Sequence, residues 1–530
     1  MACRFSAFLW LAVLAANSCA SANSSTTAPA EPMPAAATHP LERVHFVVLH
    51  TNDVHGQVLP RKATWLKRPD PPMVGGLARV AARVKREKAA AEKDGALVLV
   101  VDGGDWYQGT PEGVVDDGLP FLVAMSGVGY DAVCVGNHEF DFGVPNLVKL
   151  IRDSKLPAVV ANLTERETGK PIAWAPPWRI VQKGAWKIAI VGLLTPETPE
   201  ITHPDAQKLV FGDPARALTQ VRTALPAGID WILPITHLGV DDDRAVAKAH
   251  PELPLIVGGH SHTFLKEGVR EGQTLIVQTG AKASALGRVD VWFDAQTKKV
   301  LESSARLIDL DAEPAPEDRV AAVDTACAAL VKRSEARMNE VVGELAAPLE
   351  RAKDPLSSSS AGNFLADALR QHAVADVGLM NRGGIRADLD AGPITRRHAF
   401  ELCPFENNVT VLTITGSELA AMITKSVEGT AHSGLEVSGI VVEVAVDAKG
   451  SRTLSGLKVG GAPVDPKKEY RVALNSFLAD GGDAYVEKVL PGPKRKDDMV
   501  LMRDLIEETF RNQKKVVPNA ENRYVVTRTP

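Results

Sequence analysis

Short apolar runs alternate with polar, glycine-rich turns along the N-terminal half of the chain. Runs of this length, rich in valine, isoleucine and leucine and bounded by turn residues, are typical of buried strands. They occupy residues 44–50, 96–102, 131–136, 187–194, 231–237 and 253–259. Residues 75–93 and 213–225 have helical patterns, and Asp213 and Pro214 are placed to begin the second helix. The alternation predicts a layered α/β domain over residues 41–310.

The C-terminal half has a different pattern. Residues 315–343 carry alternating charges and predict one long helix, so that residues 311–341 would connect two domains. After it, SSSSAGNFLADALRQHA predicts a helix, whereas TVLTITG, GIVVEVAV and EYRVALN predict strands. These elements predict a second, smaller α+β domain over residues 342–530. Two domains also fit the length of 530 residues, which is more than one core usually supports.

The start of the chain has the pattern of an export signal. Arg4 precedes an apolar run from Phe5 to Ala16 and a set of small residues, which predicts a signal peptide over residues 1–22. Residues 23–40 are rich in Ser, Thr, Ala and Pro and predict a disordered linker. The sequence therefore predicts an exported protein of the periplasm or cell envelope.

Cys19 raises an alternative, which is lipid attachment of a bacterial lipoprotein. Asn17 stands where a lipoprotein signal expects a small residue, so soluble export is the preferred prediction. No other segment is long and apolar enough to predict a transmembrane helix. Lipid anchoring at Cys19 stays the alternative to soluble export.

Charge and cysteine content narrow the choice of partners. The formal net charge of −5 argues against a nucleic-acid polymer as partner, because proteins that bind such polymers are normally basic. Beyond the predicted leader the cysteines are Cys134, Cys327 and Cys403, too few and too widely spaced for a disulfide framework. Cys134 lies in an apolar run and is predicted to be a small buried hydrophobic residue.

Polar side chains follow five of the predicted strands. In an open α/β sheet, ligands bind outside the carboxyl ends of the strands, so these side chains are expected to meet. They are two carboxylates, one amide and four imidazoles: Asp53, His55, Asp105, Asn137, His237, His260 and His262. This is a ligand set for two divalent transition-metal ions, with one carboxylate able to bridge them. The cofactors predicted are two divalent metal ions, with zinc, manganese and magnesium among the candidates.

The motifs NDVHG, DGGDWYQG, GNHEFD, THLG and GGHSH together resemble the calcineurin-like metallophosphoesterase signature. Their order and flanking residues are similar to those of the secreted 5′-nucleotidase family. That resemblance covers essentially the whole chain after the leader. It implies an α/β/β/α metallophosphoesterase domain followed by a smaller α+β substrate-binding domain.

The resemblance also implies roles for residues of the first domain. It assigns Asp53, His55, Asp105 and His262 to one metal, and Asp105, Asn137, His237 and His260 to the other. His138 would then stabilise the transition state and give a proton to the leaving oxygen after attack by a metal-activated water. Asp141 would orient His138 and favour its charged form. Glu139 is interpreted as a structural hydrogen-bonding residue.

The second domain would select the substrate. The motif NRGGIR supplies Asn381 and Arg386, and an arginine suits phosphate because its planar fork can donate two hydrogen bonds. The resemblance implies that Phe405 and Phe477 sandwich the base, that Asp483 contacts the ribose hydroxyls and that Asn381 reaches the base. Stacking on aromatic side chains tolerates different bases.

One departure from the family pattern concerns phosphate binding. The stretch SSSSAGN lacks an arginine that family members often have near the position of Ser360. Arg382 is a candidate to replace it. The resemblance further implies that the C-terminal domain moves relative to the first, with residues 315–343 as the place to look for a hinge.

These observations predict an exported phosphohydrolase with two metals that acts on nucleotides, foremost nucleoside 5′-monophosphates. Three alternatives share the catalytic domain: a 2′,3′-cyclic nucleotide phosphodiesterase, a UDP-sugar hydrolase and a sulfur-ester hydrolase of thiosulfate oxidation. A fourth alternative, from another class, is a non-catalytic nucleotide-binding surface protein. The intact ligand set with His138 and Asp141 argues against that fourth function.

Overall fold

The computed structural model describes residues 42–63, 69–405, 407–431, 433–486 and 494–528. The predicted signal peptide, the predicted linker and Cys19 lie outside the described residues. Among the residues described, no helix combines the length and the apolar character needed to cross a membrane.

The N-terminal part contains sixteen strands and seven α-helices among the described residues. The strands are β1 Arg43–Thr51, β2 Arg61–Lys62, β3 Met73–Val74, β4 Leu97–Asp102, β5 Ala132–Cys134, β6 Ala158–Val159, β7 Leu163–Glu165, β8 Trp178–Lys183, β9 Trp186–Leu194, β10 Leu209–Phe211, β11 Trp231–His237, β12 Leu255–Val257, β13 Val269–Glu271, β14 Thr274–Val277, β15 Ala285–Asp294 and β16 Val300–Asp309. The helices are α1 Leu77–Lys93, α2 Leu119–Ser126, α3 Gly143–Ser154, α4 Thr198–Ile201, α5 Pro214–Ala224, α6 Val240–Ala249 and α7 Ala321–Met338.

Two six-stranded sheets form the centre of this part, in the orders β16-β15-β1-β4-β5-β6 and β13-β14-β12-β11-β9-β8. Strand β1 explains how they pack, because successive side chains of a strand point to opposite faces. Phe46 and Val48 belong to the apolar cluster shared with the second sheet. Val47 and Leu49 belong to the cluster that packs against the outer helices. The predicted α/β/β/α layering is therefore confirmed.

Strands β1, β4, β5 and β6 run parallel, as do β9, β11, β12 and β14. Their carboxyl ends therefore lie at a common edge of each sheet. A close approach between β1 and β15 depends on one glycine. Gly287 pairs with His50, and a Cβ at Gly287 would come within 2.0 Å of the His50 ring.

The predicted helix α5 begins as its sequence indicates, because the Asp213 carboxylate accepts a hydrogen bond from Arg216 N at 2.7 Å. The single long helix predicted for residues 315–343 is wrong at both ends. Helix α7 begins at Ala321 and ends at Met338. The chain then enters a strand at the β-branched Val341, which pairs with a neighbouring strand instead of continuing the helix.

The C-terminal part has twelve strands and five α-helices among the described residues. The strands are β17 Val341–Leu345, β18 Val377–Asn381, β19 Gly392–Thr395, β20 Asn408–Thr415, β21 Leu435–Ser438, β22 Ile440–Val446, β23 Arg452–Val459, β24 Ala462–Pro463, β25 Glu469–Asn475, β26 Arg495–Leu501, β27 Lys515–Val516 and β28 Tyr524–Arg528. The helices are α8 Ser360–His372, α9 Arg396–Leu402, α10 Gly416–Glu428, α11 Ser476–Ala479 and α12 Met502–Gln513.

Three sheets organise this part, in the orders β21-β18-β25-β20-β26, β19-β17-β27 and β24-β23-β22-β28. Two apolar clusters fill it, one of which includes Leu412 and Val472 and the other Leu365 and Phe510. The predicted helix and the three predicted strands are all present, as α8, β20, β22 and β25. The α+β character is confirmed, while the limits of the domains stay a prediction.

Candidate active site

Five of the seven predicted metal ligands lie in left-handed backbone conformations. The positive φ angles are 50° at Asp53, 50° at His55, 60° at Asp105, 76° at His260 and 53° at His262. Residues other than glycine rarely adopt such angles unless the surrounding structure holds them there, and such residues cluster at active sites. Here backbone bonds between loops supply that support, from Asp53 N to Gly104 O at 2.8 Å and from His55 N to Asp105 O at 3.0 Å.

A first group of donors consists of Asp53, His55, Asp105 and His262, whose ligand atoms all lie within 4.8 Å of one another. His262 Nε2 is 3.1 Å from Asp53 Oδ1, and His55 Nε2 is 3.0 Å from His262 Nε2. His55 Nδ1 donates to the carbonyl oxygen of Gln108 at 2.8 Å, because a carbonyl can only accept. The free lone pair of His55 Nε2 therefore faces the group, as metal coordination requires.

A second group surrounds Asn137. His237 Nε2 lies 3.1 Å from Asn137 Oδ1 and 3.2 Å from Asp105 Oδ2, and His260 Nδ1 lies 3.0 Å from Asn137 Oδ1. His237 Nδ1 donates to the Gly103 carbonyl at 2.7 Å, so Nε2 is the ring nitrogen that faces the group. Asp105 is the residue common to both groups, with Oδ2 3.7 Å from His55 Nε2 as well. The donor chemistry therefore fits two cations with a shared carboxylate.

The electrostatics of the two groups also suit cations. Burial opposes ionisation of Asp53, yet His262 and His237 outweigh it and lower the pKa of Asp53 to about 2. Burial likewise opposes ionisation of Asp105, but the neighbouring histidines hold its pKa well below its usual range. Burial lowers the pKa of His237, but the Asp105 carboxylate outweighs burial and raises that pKa to about 10. Two buried carboxylates thus remain charged and attract positive charge.

Glu139 ties the loops after β4 and β5 together. Its Oε2 accepts hydrogen bonds from Asp105 N at 3.0 Å and Gly136 N at 2.7 Å. Its Oε1 accepts from Trp106 N at 2.7 Å. The side chain is completely buried. Through these bonds Glu139 fixes the backbone that presents Asp105 and Asn137.

His138 and Asp141 form the expected pair. His138 Nδ1 is 2.7 Å from Asp141 Oδ2, and Thr202 Oγ1 donates to Asp141 Oδ1 at 2.8 Å. Burial lowers the pKa of His138, but the Asp141 and Asp105 carboxylates outweigh it and raise that pKa. The arrangement favours an imidazolium whose Nε2 is left for another partner. Thr202 was missed at the sequence level, since a threonine 61 positions from its partner carries no local signal.

One cavity of about 940 Å³ connects these residues with the C-terminal domain. The predicted pocket residues that line it are Asn381, Arg386, Phe405, Phe477 and Asp483. On the opposite side the cavity is lined by Asn137, His138, Asp141 and His260. The Phe405 ring stacks on the His138 ring with centroids 5.6 Å apart, and the Arg386 guanidinium lies 5.8 Å from the centre of the Phe405 ring.

A polar network holds the far side of the cavity. Asn381 Nδ2 donates to Asp483 Oδ2 at 2.9 Å, and Ser433 Oγ donates to the same oxygen at 2.6 Å. Asn475 Nδ2 in turn donates to Asn381 Oδ1 at 2.8 Å. Ser433 and Asn475 were not singled out in the sequence, because isolated serine and asparagine residues occur throughout turns.

Arg382 does not replace the arginine that is absent near Ser360. Its guanidinium donates to the carbonyl oxygens of Asp354 at 2.9 Å and Ser357 at 2.6 Å. Its Nε also lies 3.2 Å from a carboxylate oxygen of the buried Glu436. These partners hold Arg382 within its own domain, and it is not among the residues that line the cavity.

Comparison with known proteins agrees with this site. The family model for calcineurin-like phosphoesterases matches residues 46–264, and the model for the 5′-nucleotidase C-terminal domain matches residues 341–489. The chain belongs to the 5′-nucleotidase family and is a metal-dependent phosphohydrolase that acts on nucleotides. Calcineurin-like phosphoesterases use two divalent metal ions.

Individual relatives support the same assignment. The chain is similar to Protein UshA of Escherichia coli K12, with 30% identity over 83% of this chain and 86% of the relative. It is 29% identical to a 5′-nucleotidase of Vibrio cholerae over 89% of this chain and 90% of the relative. A solved 5′-nucleotidase precursor from Thermus thermophilus matches with a TM-score of 0.80 and 29% identity, covering 92% of this chain and all of that one.

Proposed function

We propose that this protein removes the phosphate from nucleoside 5′-monophosphates as an exported enzyme of nucleotide catabolism. The observation that carries the proposal is the single cavity that joins the histidine and carboxylate groups to two phenylalanines of the C-terminal domain. Phosphate chemistry needs the first set of residues, and recognition of a base suits the second. A phosphate ester without a planar ring would use the histidines and carboxylates but not the two phenylalanines.

The proposed ligands of one cation are Asp53, His55, Asp105 and His262, and those of the other are Asp105, Asn137, His237 and His260. When bound, two divalent cations neutralise phosphate charge and make a water molecule more acidic. The backbone bonds around Asp53 and His55, together with Glu139, hold these ligands in place before a substrate arrives. That rigidity suits an in-line displacement, which tolerates little error in position.

His138 is the proposed general acid, which gives a proton to the ribose oxygen as the phosphate leaves. Its Nδ1 is engaged by Asp141, so Nε2 is the atom that would carry this proton. Asp141 stabilises the imidazolium and is itself held by Thr202. A proton donor at this position avoids expulsion of a strongly basic alkoxide.

Arg386 is the proposed phosphate-binding residue of the C-terminal domain, and Phe405 and Phe477 are the proposed base-stacking residues. Asp483 and Asn381, joined by their hydrogen bond, offer acceptors and donors to the sugar and the base. A non-catalytic nucleotide-binding protein would have no use for the His138–Asp141 pair beside a metal centre.

The location of the enzyme is part of the proposal. The pattern at Arg4 and over Phe5 to Ala16 supports cleavage of a signal peptide and release into the periplasm. The mass of the mature N-terminal peptide after expression with its leader tests this. Cleavage after Ala22 is expected, whereas a lipid-modified Cys19 at the N-terminus would replace soluble export with anchoring.

A substrate panel tests the activity. The protein loaded with zinc, manganese or magnesium is given AMP, 2′,3′-cyclic AMP, UDP-glucose and 4-nitrophenyl phosphate, and product release is measured. The highest kcat/KM is expected with AMP. A clear preference for the cyclic nucleotide or UDP-glucose would assign the site to that alternative substrate. If the metal-loaded protein hydrolysed none of the esters, the proposed catalytic activity would be contradicted.

A further inference from the structure

A buried ion pair joins the N-terminal domain to helix α9 of the C-terminal domain. Arg397 of α9 donates from Nη1 to Glu112 Oε2 at 2.7 Å and from Nη2 to Glu112 Oε1 at 2.6 Å. Ser334 of helix α7 donates its hydroxyl to the same carboxylate. Glu112 is 1% exposed. A bidentate, charge-assisted contact of this kind fixes the orientation of the two side chains as well as the distance between them. We call Glu112, Ser334 and Arg397 the interdomain clamp.

On the N-terminal side, the clamp belongs to the loop that holds the metal-site residues. This loop starts at Asp105, and its Gln108 carbonyl accepts the hydrogen bond that orients His55. Thr110 Oγ1 donates to Gly56 O at 2.6 Å, beside His55. The turn at Gly113, directly after Glu112, is tight enough that a Cβ there would come within 2.0 Å of the Tyr107 carbonyl oxygen. Glu112 therefore has a fixed relation to the metal centre.

On the C-terminal side, the end of helix α9 lies next to two proposed substrate-binding residues. The Leu402 carbonyl of α9 accepts a hydrogen bond from Arg386 N at 2.9 Å. The chain then leads through Pro404 to Phe405, which stacks on His138. A shift of α9 would therefore move both Arg386 and Phe405 relative to the metal centre.

Other polar contacts also cross this boundary. Lys282 Nζ donates to Arg386 O at 3.2 Å, and Gln108 Nε2 reaches Pro404 O only at 3.5 Å. Neither contact pairs two charged groups, whereas the clamp pairs a guanidinium with a buried carboxylate. Glu401 of α9 also faces the positive charges of Arg61 and Lys282 in the N-terminal domain. The clamp differs from these contacts in its two hydrogen bonds, which fix the orientation of the Arg397 guanidinium on the Glu112 carboxylate.

We propose that Glu112 and Arg397, with Ser334, are positioning residues that set Arg386 and Phe405, the phosphate- and base-binding residues next to the end of α9, against the metal centre. The inference rests on the proposed function, since it takes Arg386 and Phe405 as substrate contacts. The clamp touches no substrate. It acts by holding the two halves of one site at a fixed distance and orientation. An error of about 1 Å in such a site can lower a rate on the order of 100-fold.

The test compares Glu112→Gln and Arg397→Gln with Arg396→Gln, each as the full chain with its metals. Arg396 is the matched control because it lies beside Arg397 on α9, is similarly buried, and pairs at 2.6 Å with Glu507 of the C-terminal domain itself. For AMP, the clamp variants are expected to lose about 100-fold in kcat/KM. For 4-nitrophenyl phosphate, which needs the phosphate contact of Arg386 but has no nucleoside to place, the loss in turnover is expected to be clearly smaller than for AMP, and metal content is expected to match the control.

Further readouts separate positioning from a general structural role. The double variant Glu112→Gln with Arg397→Gln is expected to lose no more AMP activity than either single variant, because both changes remove one interaction. Losses that multiply would contradict a shared role. Equal loss on both esters would show that Glu112 acts on the metal loop alone, and unchanged AMP activity would overturn the proposal.

Hydrogen exchange tests the clamp without any substrate. Amides of residues 105–113 and 396–405 are expected to exchange faster in Arg397→Gln than in Arg396→Gln, because the interface that covers them opens more often. Identical exchange in the two variants would contradict the proposed role of the clamp at the interface, whether or not AMP is the substrate. If wild type cleaves 4-nitrophenyl phosphate but no nucleotide, the proposed function fails and the exchange result still decides the clamp.

Discussion

The proposed metal centre and the proposed nucleoside pocket share one cavity but are built in different ways. The proposed metal ligands follow strand ends, are almost fully buried at Asp53, His55 and Asp105, and lie on backbone that is fixed by bonds between loops. The aromatic residues Phe405 and Phe477 are only partly buried and belong to loops and a short helix. Cations require fixed donor geometry, whereas stacking tolerates variation in the base.

This comparison predicts that changes in the two regions affect different quantities. Changes at the metal centre should abolish turnover of every phosphate ester, because all esters need the same chemistry. Changes at the proposed base-stacking residues should affect chiefly esters that carry a nucleoside. The pair of substrates AMP and 4-nitrophenyl phosphate therefore separates the two regions.

The largest effect is expected for Asp105→Asn. Asp105 contacts both groups of donors, and the change removes the charge that a shared ligand needs. Turnover of both esters should fall by more than the roughly 10⁴-fold upper range for loss of a general acid. Metal analysis should find fewer than two bound ions per chain. Full metal content with near-normal turnover would exclude Asp105 as the shared ligand.

The next largest effect is expected for His138→Ala. Turnover of AMP should fall by about 10²–10⁴-fold, which is the usual contribution of general acid catalysis, while both metals are retained. The loss should be smaller for 4-nitrophenyl phosphate, because its leaving phenolate is a weak base and needs less protonation. Steady-state kinetics with both esters and metal analysis check this. An equal loss for the two esters would argue against proton donation.

A smaller and more selective effect is expected for Phe477→Ala. Stacking of a base on one aromatic side chain contributes about 1–3 kcal/mol, so kcat/KM for AMP should fall by roughly ten- to a hundredfold. Turnover of 4-nitrophenyl phosphate should change less, because Phe477 is proposed to contact the base and not the phosphate. If that ester is equally affected, Phe477 supports the fold of the cavity rather than the base.

The smallest effect concerns stability rather than turnover. Burial lowers the pKa of His50 from 6.5 to about 3. Between these values the unfolded chain binds a proton that the folded protein does not, so acidification lowers the free energy of unfolding. The contribution is about 1.4 kcal/mol per pH unit. His50→Gln removes this proton linkage, and denaturant unfolding from about pH 6 to pH 4 should show a shallower decline than wild type. Equal slopes would contradict the assignment.

The approach of the proposed metal ligands to one another could be predicted, because the sequence shows where the strands end. Apolar runs mark the strands, and parallel strands bring their carboxyl ends together, so Asp53, Asp105 and His237 had to approach one another. Their left-handed backbone could not be foreseen, since aspartate and histidine adopt many turn conformations. The end of helix α7 was also missed, because strand pairing of Val341 overrides a charge pattern that continues past Met338.

Contacts between distant segments were beyond prediction. Thr202 reaches Asp141, and Glu112 reaches Arg397, only because the folded sheets and helices bring them together. Arg382 is an example of a wrong prediction from a local motif. Its position in NRGGIR suggested a phosphate-binding role, but its guanidinium donates to the carbonyl oxygens of Asp354 and Ser357, away from the cavity. Side-chain direction at a turn depends on partners that the local sequence does not contain.

The left-handed residues at the strand ends also have a consequence for maturation. Each such residue raises the energy of the native backbone by about 1–3 kcal/mol relative to a relaxed turn. Cations that bind only the folded form offset this penalty by mass action. Metal uptake would then act as the last step of folding, and a chelator would loosen this edge before it unfolds the rest of the chain.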